Sequence, residues 1–396
     1  NKLSAASSLS WLSPWRRKSR DSTLMSTNTF ARVESERAHL RTLRAGIIGL
    51  GFIGEVHARA IRANGHILRS VSAANIEAAQ TGAVKVGAEF AVTIEEMVSD
   101  PEIDIVHICT PNVFHAEIAA LALENGKHVI CEKPLAISVD DALRLTELAK
   151  VKNLVATVPF IYRYYPTVRE ARARISSSKS TPNLMHGYYL QDWLASDEVE
   201  NWRISPQLGG PSRAFGDIGV HWVDLVEFVS GQRVVRLNAQ LMRVFDSRSD
   251  TPSVGTEDGG TIIFETNTGA QGSLVLSQVS AGRKNKLWFS IEGDGYSYVF
   301  DQENPDSLWH GGIDMNSTLM RGSAHESEAT GRFSVLPAGH PQGYQDCFNA
   351  FIADTYSAIA LGGSDGLPEF SDGLRAARLT AAVLESSQKR EWVEVS

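Results

Sequence analysis

The sequence has little cysteine. Only Cys109, Cys131 and Cys347 occur in 396 residues, far apart and without a CxxC pair. A disulfide framework and a cysteine-rich zinc site are therefore not expected. A reducing compartment, the cytoplasm, is the expected location. Long apolar runs are missing too. No stretch of about 18 apolar residues appears, so no membrane span is expected. Positive charge is scarce: 38 Lys and Arg face 46 Asp and Glu, a net charge of −8. A nucleic-acid binder needs a basic face to displace counterions from phosphate, so that partner class is not expected. There is no fixed-period repeat and no low-complexity tract. What is present is a globular composition, 43% hydrophobic and 21% charged, too apolar for a disordered chain. The length allows about two to three domains.

The first 24 residues stand apart. Lys2, Arg16, Arg17, Lys18 and Arg20 face a single acid, Asp21. No signal-peptide core is present, although an Arg- and Ser-rich stretch also fits a transit peptide. The preferred reading is a non-native or upstream-translated extension ahead of Met25. Residues 25–43 read as a mobile leader, so 1–43 are set aside from the fold.

From Ala45 the pattern is regular. Strands are predicted over 45–49, 67–73, 89–92, 104–109, 127–131 and 154–158. Helices are predicted over 55–64, 76–87, 94–98, 113–125 and 139–152. This alternation predicts a parallel, doubly wound sheet over residues 44–160. Beyond Phe160 the style changes. Helices are expected over 166–176, 215–230, 343–361 and 370–388. Strand-like runs fall at 184–193, 234–245, 260–266, 270–277, 286–292 and 296–301, with a last one at 392–395. Successive strands with short breaks predict an antiparallel sheet, so residues 161–396 read as an α+β domain. Residues 311–332 read as a mobile loop.

Gly49-Leu50-Gly51-Phe52-Ile53-Gly54 fits G-x-G-x-x-G between a predicted strand and a predicted helix. That context turns a weak motif into a dinucleotide-binding expectation. Gly49 allows the tight turn, Gly51 lets a pyrophosphate approach the backbone, and Gly54 lets the helix pack on the strand. The helix N-terminus then offers free N–H groups to phosphate. The acid that usually holds the adenosine ribose is missing: Ala73 stands near its place, in Val71-Ser72-Ala73-Ala74-Asn75. Arg69, Ser70, Ser72 and Asn75 lie close enough to serve a 2′-phosphate. The cofactor is expected to be NAD or NADP.

Cys131-Glu132-Lys133-Pro134-Leu135 follows the fifth predicted strand. Together with the glycine loop, Thr110-Pro111-Asn112, His115 and Asp217-Ile218-Gly219-Val220-His221, the chain resembles the Gfo/Idh/MocA oxidoreductases from about Ala45 to Val395. The resemblance implies a Rossmann domain followed by an α/β domain with a large open antiparallel sheet. It also implies association through that open sheet, as a homodimer or homotetramer. Leu274, Leu276, Trp288 and Phe289 are candidate contacts. The departure at Ala73 leaves the choice between NAD and NADP open.

The residues themselves support catalysis. Ligands of a doubly wound sheet bind beyond the carboxyl ends of its strands, where Lys133 stands. A lysine there can stabilise a developing alkoxide. Asp217 and His221 share one face of a predicted helix. Oxidising a hydroxyl needs a base, which His commonly supplies. A metal pair and a merely polar helix surface are the other readings of Asp217 and His221; no third ligand is apparent, so no metal is expected. By resemblance, Lys133, Asp217 and His221 form the catalytic set. His221 is then the acid/base, and Lys133 and Asp217 bind the reacting hydroxyl and its neighbour.

The expected cofactor contacts are Gly49, Gly51, Phe52, Ile53, Gly54, Ala73, Thr110, Pro111, Asn112, His115, Glu132 and Lys133. Arg163, Trp193, Trp202 and Arg203, together with Lys133, Asp217 and His221, are candidate substrate contacts, since an aromatic beside polar groups suits a sugar ring. The expected activity is hydride transfer between nicotinamide and a secondary hydroxyl or ketone of a sugar, sugar derivative or inositol. Two other readings are a reductase of a non-sugar substrate, such as a dihydrodiol or linear tetrapyrrole, and a catalytically silent dinucleotide sensor.

Overall fold

The computed structural model describes residues 41–248, 254–324 and 326–395. Residues 1–40 of the expected leader lie outside the described residues. Its last residue, Leu43, does not behave as a leader: the side chain is buried, and its carbonyl accepts from the Ile67 N–H.

The first half builds a parallel sheet from β1 (Arg44–Ile48), β2 (Ile67–Ser72), β3 (Phe90–Ala91), β4 (Ile105–Ile108), β5 (His128–Cys131) and β6 (Ala156–Thr157). The order is β3-β2-β1-β4-β5-β6. This is the doubly wound arrangement, and its strand order reverses between β1 and β4. Ala45, Ile47, Ile105, Val106, Val129 and Ile130 are buried completely, as a sheet covered on both faces requires. The covering helices are α1 (Phe52–Ala63), α2 (Ile76–Val86), α3 (Ile94–Ser99), α4 (His115–Glu124) and α5 (Val139–Lys152). Their starts follow local chemistry. Asn75 caps α2, Ser138 caps α5, and Thr93 with Glu96 forms a reciprocal capping box on α3.

The second half begins with α6 (Pro166–Ser177) and β7 (Leu184–Leu190). A π-helical turn over Phe215–Gly219 leads into α7 (Val220–Ser230). The strands β8 (Val234–Met242), β9 (Gly259–Thr266), β10 (Gln271–Ser277), β11 (Lys286–Gly293), β12 (Tyr296–Asp301), β13 (Ser307–Gly312) and β14 (Asn316–Met320) follow. Then come α8 (Tyr344–Leu361), α9 (Phe370–Lys389) and β15 (Val393–Glu394). The nine-stranded order is β14-β13-β12-β11-β7-β10-β9-β8-β15. The sheet is antiparallel except where β7 pairs with β10 in parallel, Gly187 opposite Leu274.

Two expectations change. The segment 311–332 is not one loop. It holds β14, the end of β13 and a one-turn helix over Glu328–Gly331. The polar residues of β14 hide it, because the strand is held by pairing with β13 rather than by burial on both faces. The proposed sheet contacts also divide. Leu274, Leu276 and Phe289 are buried, whereas Trp288 faces outward, its ring stacked on Tyr188 at 5.3 Å. Ile263 and Val275 are exposed on the same outer face, as the alternation of the strands dictates.

Candidate active site and cofactor cleft

The sheet's switch point decides where the site lies. β1 ends just before Gly49 and β4 ends before Thr110, and the chains diverge there above the strand ends. A cavity of about 1210 Å³ opens at this point and runs across to β7 and the π-helical turn. Its lining includes Gly49, Gly51, Phe52, Ile53, Ala73, Thr110, Pro111, Asn112, His115, Glu132 and Lys133 on the strand-end side. Trp202, Arg203, Asp217 and His221 line it opposite. Residues placed far apart in the chain thus share one space.

The glycine loop fits a dinucleotide by its shape. Gly49 has φ 97°, a backbone conformation that disfavours a side chain, and a Cβ there would lie 2.5 Å from the Cys109 carbonyl oxygen. A Cβ on Gly54 would run into the Gly49 carbonyl oxygen, so Gly54 serves packing and does not line the cavity. A Cβ on Gly51 would meet nothing within 4 Å and would project from the cavity wall. The space kept clear at Gly51 and the N-terminus of α1 together fit a pyrophosphate. Thr110 Oγ1 is buried without a hydrogen-bond partner at the same end of β4.

Beyond the end of β2 the cavity is lined by Ala73, Ala74, Ile94 and Glu95. Arg69 does not serve a 2′-phosphate. Its Nε donates to Asp100 at 2.8 Å, and Glu89 lies 3.6 Å from its Nη1. Asn75 is not in the lining, and its Oδ1 accepts from the Ala78 N–H as the cap of α2.

His115 ties two of the lining turns together. Its Nδ1 lies 2.7 Å from the Pro134 carbonyl and its Nε2 2.9 Å from the Thr110 carbonyl. Burial lowers its pKa against the pull of these carbonyls. A neutral ring donates at one nitrogen only. The Lys133–Pro134 peptide is cis.

At the other end the reactive groups converge. Lys133 Nζ donates to Asp217 Oδ1 at 2.5 Å and to the Asp217 carbonyl at 3.0 Å. Gln278 Nε2 donates to Asp217 Oδ2 at 2.8 Å, and Arg203 Nε lies 3.5 Å from Oδ1. Burial would raise the Asp217 carboxyl, but Lys133 and then Arg203 hold it far below the usual carboxylate range. His221 is buried between Phe160 and Tyr162, with edge-on ring contacts at 5.7 and 5.1 Å. Burial and then the charge of Lys133 push its pKa well below the usual value, so the ring is neutral at pH 7. Its Nδ1 is buried without a partner.

Two candidate substrate residues are elsewhere. Arg163 is buried outside the cavity and pairs with Asp224 and Asp372. Consecutive residues in the turn over Ile161–Tyr164 point in different directions, so Tyr162 reaches the cavity and Arg163 does not. Trp193 is absent from the lining. Its Nε1 donates to Gln191 Oε1 at 2.8 Å, and the ring packs on the small core of Leu194, Ile204 and Val254. That core supports the segment bearing Trp202 and Arg203. Arg248 fastens it by donating to the Ser196 and Leu194 carbonyls.

Two lining residues, Tyr189 and Asn285, carry no local sequence signal. Tyr162 and Tyr189 share a hydroxyl hydrogen bond of 2.6 Å, and Asn285 Oδ1 accepts from Tyr189 at 2.7 Å and from Gln191 at 2.8 Å. These residues meet only because β7 and the segment before β11 are neighbours in the sheet. The three cysteines are buried free thiols, and burial pushes each one's pKa up, so none is an activated nucleophile. Among the described residues no helix is long and apolar enough to cross a membrane.

Comparisons with known proteins agree with this construction. The family model described as "Oxidoreductase family, NAD-binding Rossmann fold" matches residues 43–160, and that of the GFO/IDH/MocA C-terminal domain matches residues 168–299. The chain is 32% identical over 392 residues to levoglucosan dehydrogenase of Pseudarthrobacter phenanthrenivorans, covering 90% of this chain and 99% of that protein. It is 25% identical over 357 residues to inositol 2-dehydrogenase of Rhizobium meliloti, covering 90% and 100%. The structure of levoglucosan dehydrogenase in complex with NADH and levoglucosan superimposes with a TM-score of 0.84, at 32% identity over 90% of this chain and 100% of that one. An inositol dehydrogenase homologue of Azotobacter vinelandii, complexed with NAD+, gives 0.82 at 25% identity over 90% and 98%. A glycine cradle at the switch point, a cavity running from it to Lys133, and these two matching halves place the chain in the GFO/IDH/MocA family of NAD-binding oxidoreductases.

Proposed function

We propose that this protein oxidises a secondary hydroxyl of a sugar, anhydrosugar or inositol to the ketone, or catalyses the reverse reduction, with NAD. The convergence of Lys133, Asp217 and His221 at one end of the cavity carries this reading. Bound there, the nicotinamide supplies the hydride acceptor. His221, neutral and buried, accepts the hydroxyl proton. Lys133 spends two of its three donors on Asp217 and keeps one for the reacting oxygen, whose developing negative charge it stabilises. Asp217 fixes Lys133 and is itself fixed by Gln278. Arg203, its guanidinium over the Trp202 ring at 4.3 Å, presents donors to neighbouring hydroxyls. Residues 44–160 serve as the cofactor half and 161–396 as the substrate half.

The similarity to levoglucosan and inositol dehydrogenases favours a compact, uncharged polyol ring over a dihydrodiol or tetrapyrrole. A silent sensor has no need of the Lys133–Asp217–His221 set. The test is a panel of levoglucosan, inositols and simple sugars with NAD+, followed at 340 nm, with His221→Asn alongside. The variant should lower kcat by about 10²- to 10⁴-fold while the Kd for NADH stays within about threefold. Lost NADH binding with little change in turnover would remove His221 from its role. The outer sheet face, with Tyr188, Ile263, Val275 and Trp288, is the surface through which we expect copies to associate as a dimer or tetramer. Light scattering of the purified protein checks this.

A further inference from the structure

Behind the cavity wall runs a line of buried titratable side chains that the reaction above does not use. Glu132 lines the cavity. His57, on α1, places Nε2 3.2 Å from Glu132 Oε1. Its Nδ1 lies 2.8 Å from Nδ1 of His107, on β4. His107 Nε2 lies 2.8 Å from the hydroxyl of Tyr356, on α8. Both imidazoles are fully buried, and Tyr356 is nearly so. Phe348 packs edge-on against His57 at 5.1 Å and closes the chain off from water. Four segments distant in sequence meet here.

The contacts constrain one another. A ring N to ring N contact at 2.8 Å holds one proton, so one nitrogen donates and the other accepts. An ionised Glu132 only accepts, so His57 Nε2 carries a proton and donates to it. Burial keeps His107 neutral. With both rings neutral, one assignment satisfies every atom: the Tyr356 hydroxyl donates to His107 Nε2, His107 Nδ1 donates to His57 Nδ1, and His57 Nε2 donates to Glu132. All the dipoles point toward the cavity. The second carboxylate oxygen of Glu132 accepts from the Lys133 N–H at 3.2 Å. Two of the three ammonium protons of Lys133 go to Asp217 rather than to Glu132. The cavity therefore presents a carboxylate that is clamped from behind, beside the residue that marks the reacting end.

We propose that His57, backed by His107 and Tyr356, is a positioning residue that holds the Glu132 carboxylate toward the nicotinamide end of the cleft and so favours the oxidised, positively charged cofactor over the reduced, neutral one. The inference rests on the reading that Lys133 marks that end. It assigns a role to a histidine that touches neither substrate nor cofactor.

The test measures Kd for NAD+ and for NADH by calorimetry on the full chain. His57→Leu should weaken NAD+ relative to NADH by roughly tenfold, the scale of one hydrogen bond to a charged group. His57→Gln, which retains a donor, should keep the ratio within about threefold of the wild type. Glu132→Gln should match His57→Leu, and the double variant should add nothing further. If His57→Leu does not yield folded protein, His107→Gln and Tyr356→Phe break the chain further back and should move the ratio in the same direction. A ratio that ignores His57 and these two positions, or full additivity with Glu132→Gln, overturns the proposal. The ratio needs no substrate. A protein that turns over none of the polyols yet shows the shift loses only the substrate reading, and one that turns them over without the shift loses only this one.

Discussion

Acidification tests the buried histidines directly. His107, His115 and His221 are buried, and burial lowers the pKa of each, so the folded chain takes up these protons at lower pH than the unfolded chain does. In the unfolded chain each ionises near its ordinary value, about 6.5. Below that value the unfolded state binds more protons, so stability falls as pH falls. One unit below 6.5 a ring that stays neutral in the folded chain contributes at most about 1.4 kcal/mol of loss. Asp224 acts in the opposite sense. Burial lifts its carboxyl to about 6 against the ordinary 3.8, so the folded chain takes up that proton first and regains about 1 kcal/mol at pH 5.5. The net expected loss between pH 7.5 and 5.5 is then at most about 3 kcal/mol. Urea denaturation followed by tryptophan fluorescence at fixed ionic strength measures it. The midpoint should fall by roughly 0.5 M. His221→Asn should reduce the loss between the two pH values by at most about 1.4 kcal/mol. Equal midpoints at the two pH values, or the same slope in the variant, would refute the reasoning.

The remaining predictions separate binding from folding. Gly51→Val should leave the melting temperature unchanged and abolish NADH binding, whereas Gly54→Val should lower the melting temperature, because only its side chain collides with backbone; fluorescence titration and calorimetric melting read the two. Arg163→Ala should destabilise the fold by about 3–5 kcal/mol in denaturant titrations, since it leaves Asp224 and Asp372 buried without their cation. Arg203→Ala should change stability by about 0.5 kcal/mol or less and raise KM for the polyol roughly tenfold. Ala73→Asp should weaken NADPH relative to NADH by at least about tenfold in a fluorescence titration, because a carboxylate at the end of β2 repels a 2′-phosphate.

The Rossmann half was legible because its signals are local. Completely buried strands read as apolar runs, caps such as Asn75 and Thr93 mark helix starts, and the glycine spacing states where the backbone must be bare. The second half was legible only where its strands alternate. The sequence carries no mark that β7 and β10 run parallel, since that pairing depends on the path of the whole chain. The polar edge strand β14 gave no burial signal either.

The site divides along the same line. Lys133 and the glycine loop were found because motif and position agree, and Tyr189, Asn285 and Gln278 were not, because sheet neighbours far apart in sequence bring them in. Arg163 shows the opposite error. An arginine among aromatics near a cleft suggests ligand binding, but a buried guanidinium needs carboxylates, and Asp224 and Asp372 supply them from helices the local sequence cannot see. Asp217 and His221 illustrate how far spacing alone reaches. Four residues apart they suggested one face of an α-helix, but Asp217 lies in a π-helical turn that ends before His221. A π turn widens the helix and leaves backbone groups free for other partners. Here the Asp217 carbonyl accepts from Lys133 Nζ. The irregularity that sequence spacing does not reveal is thus part of what joins the lysine of one half to the aspartate of the other.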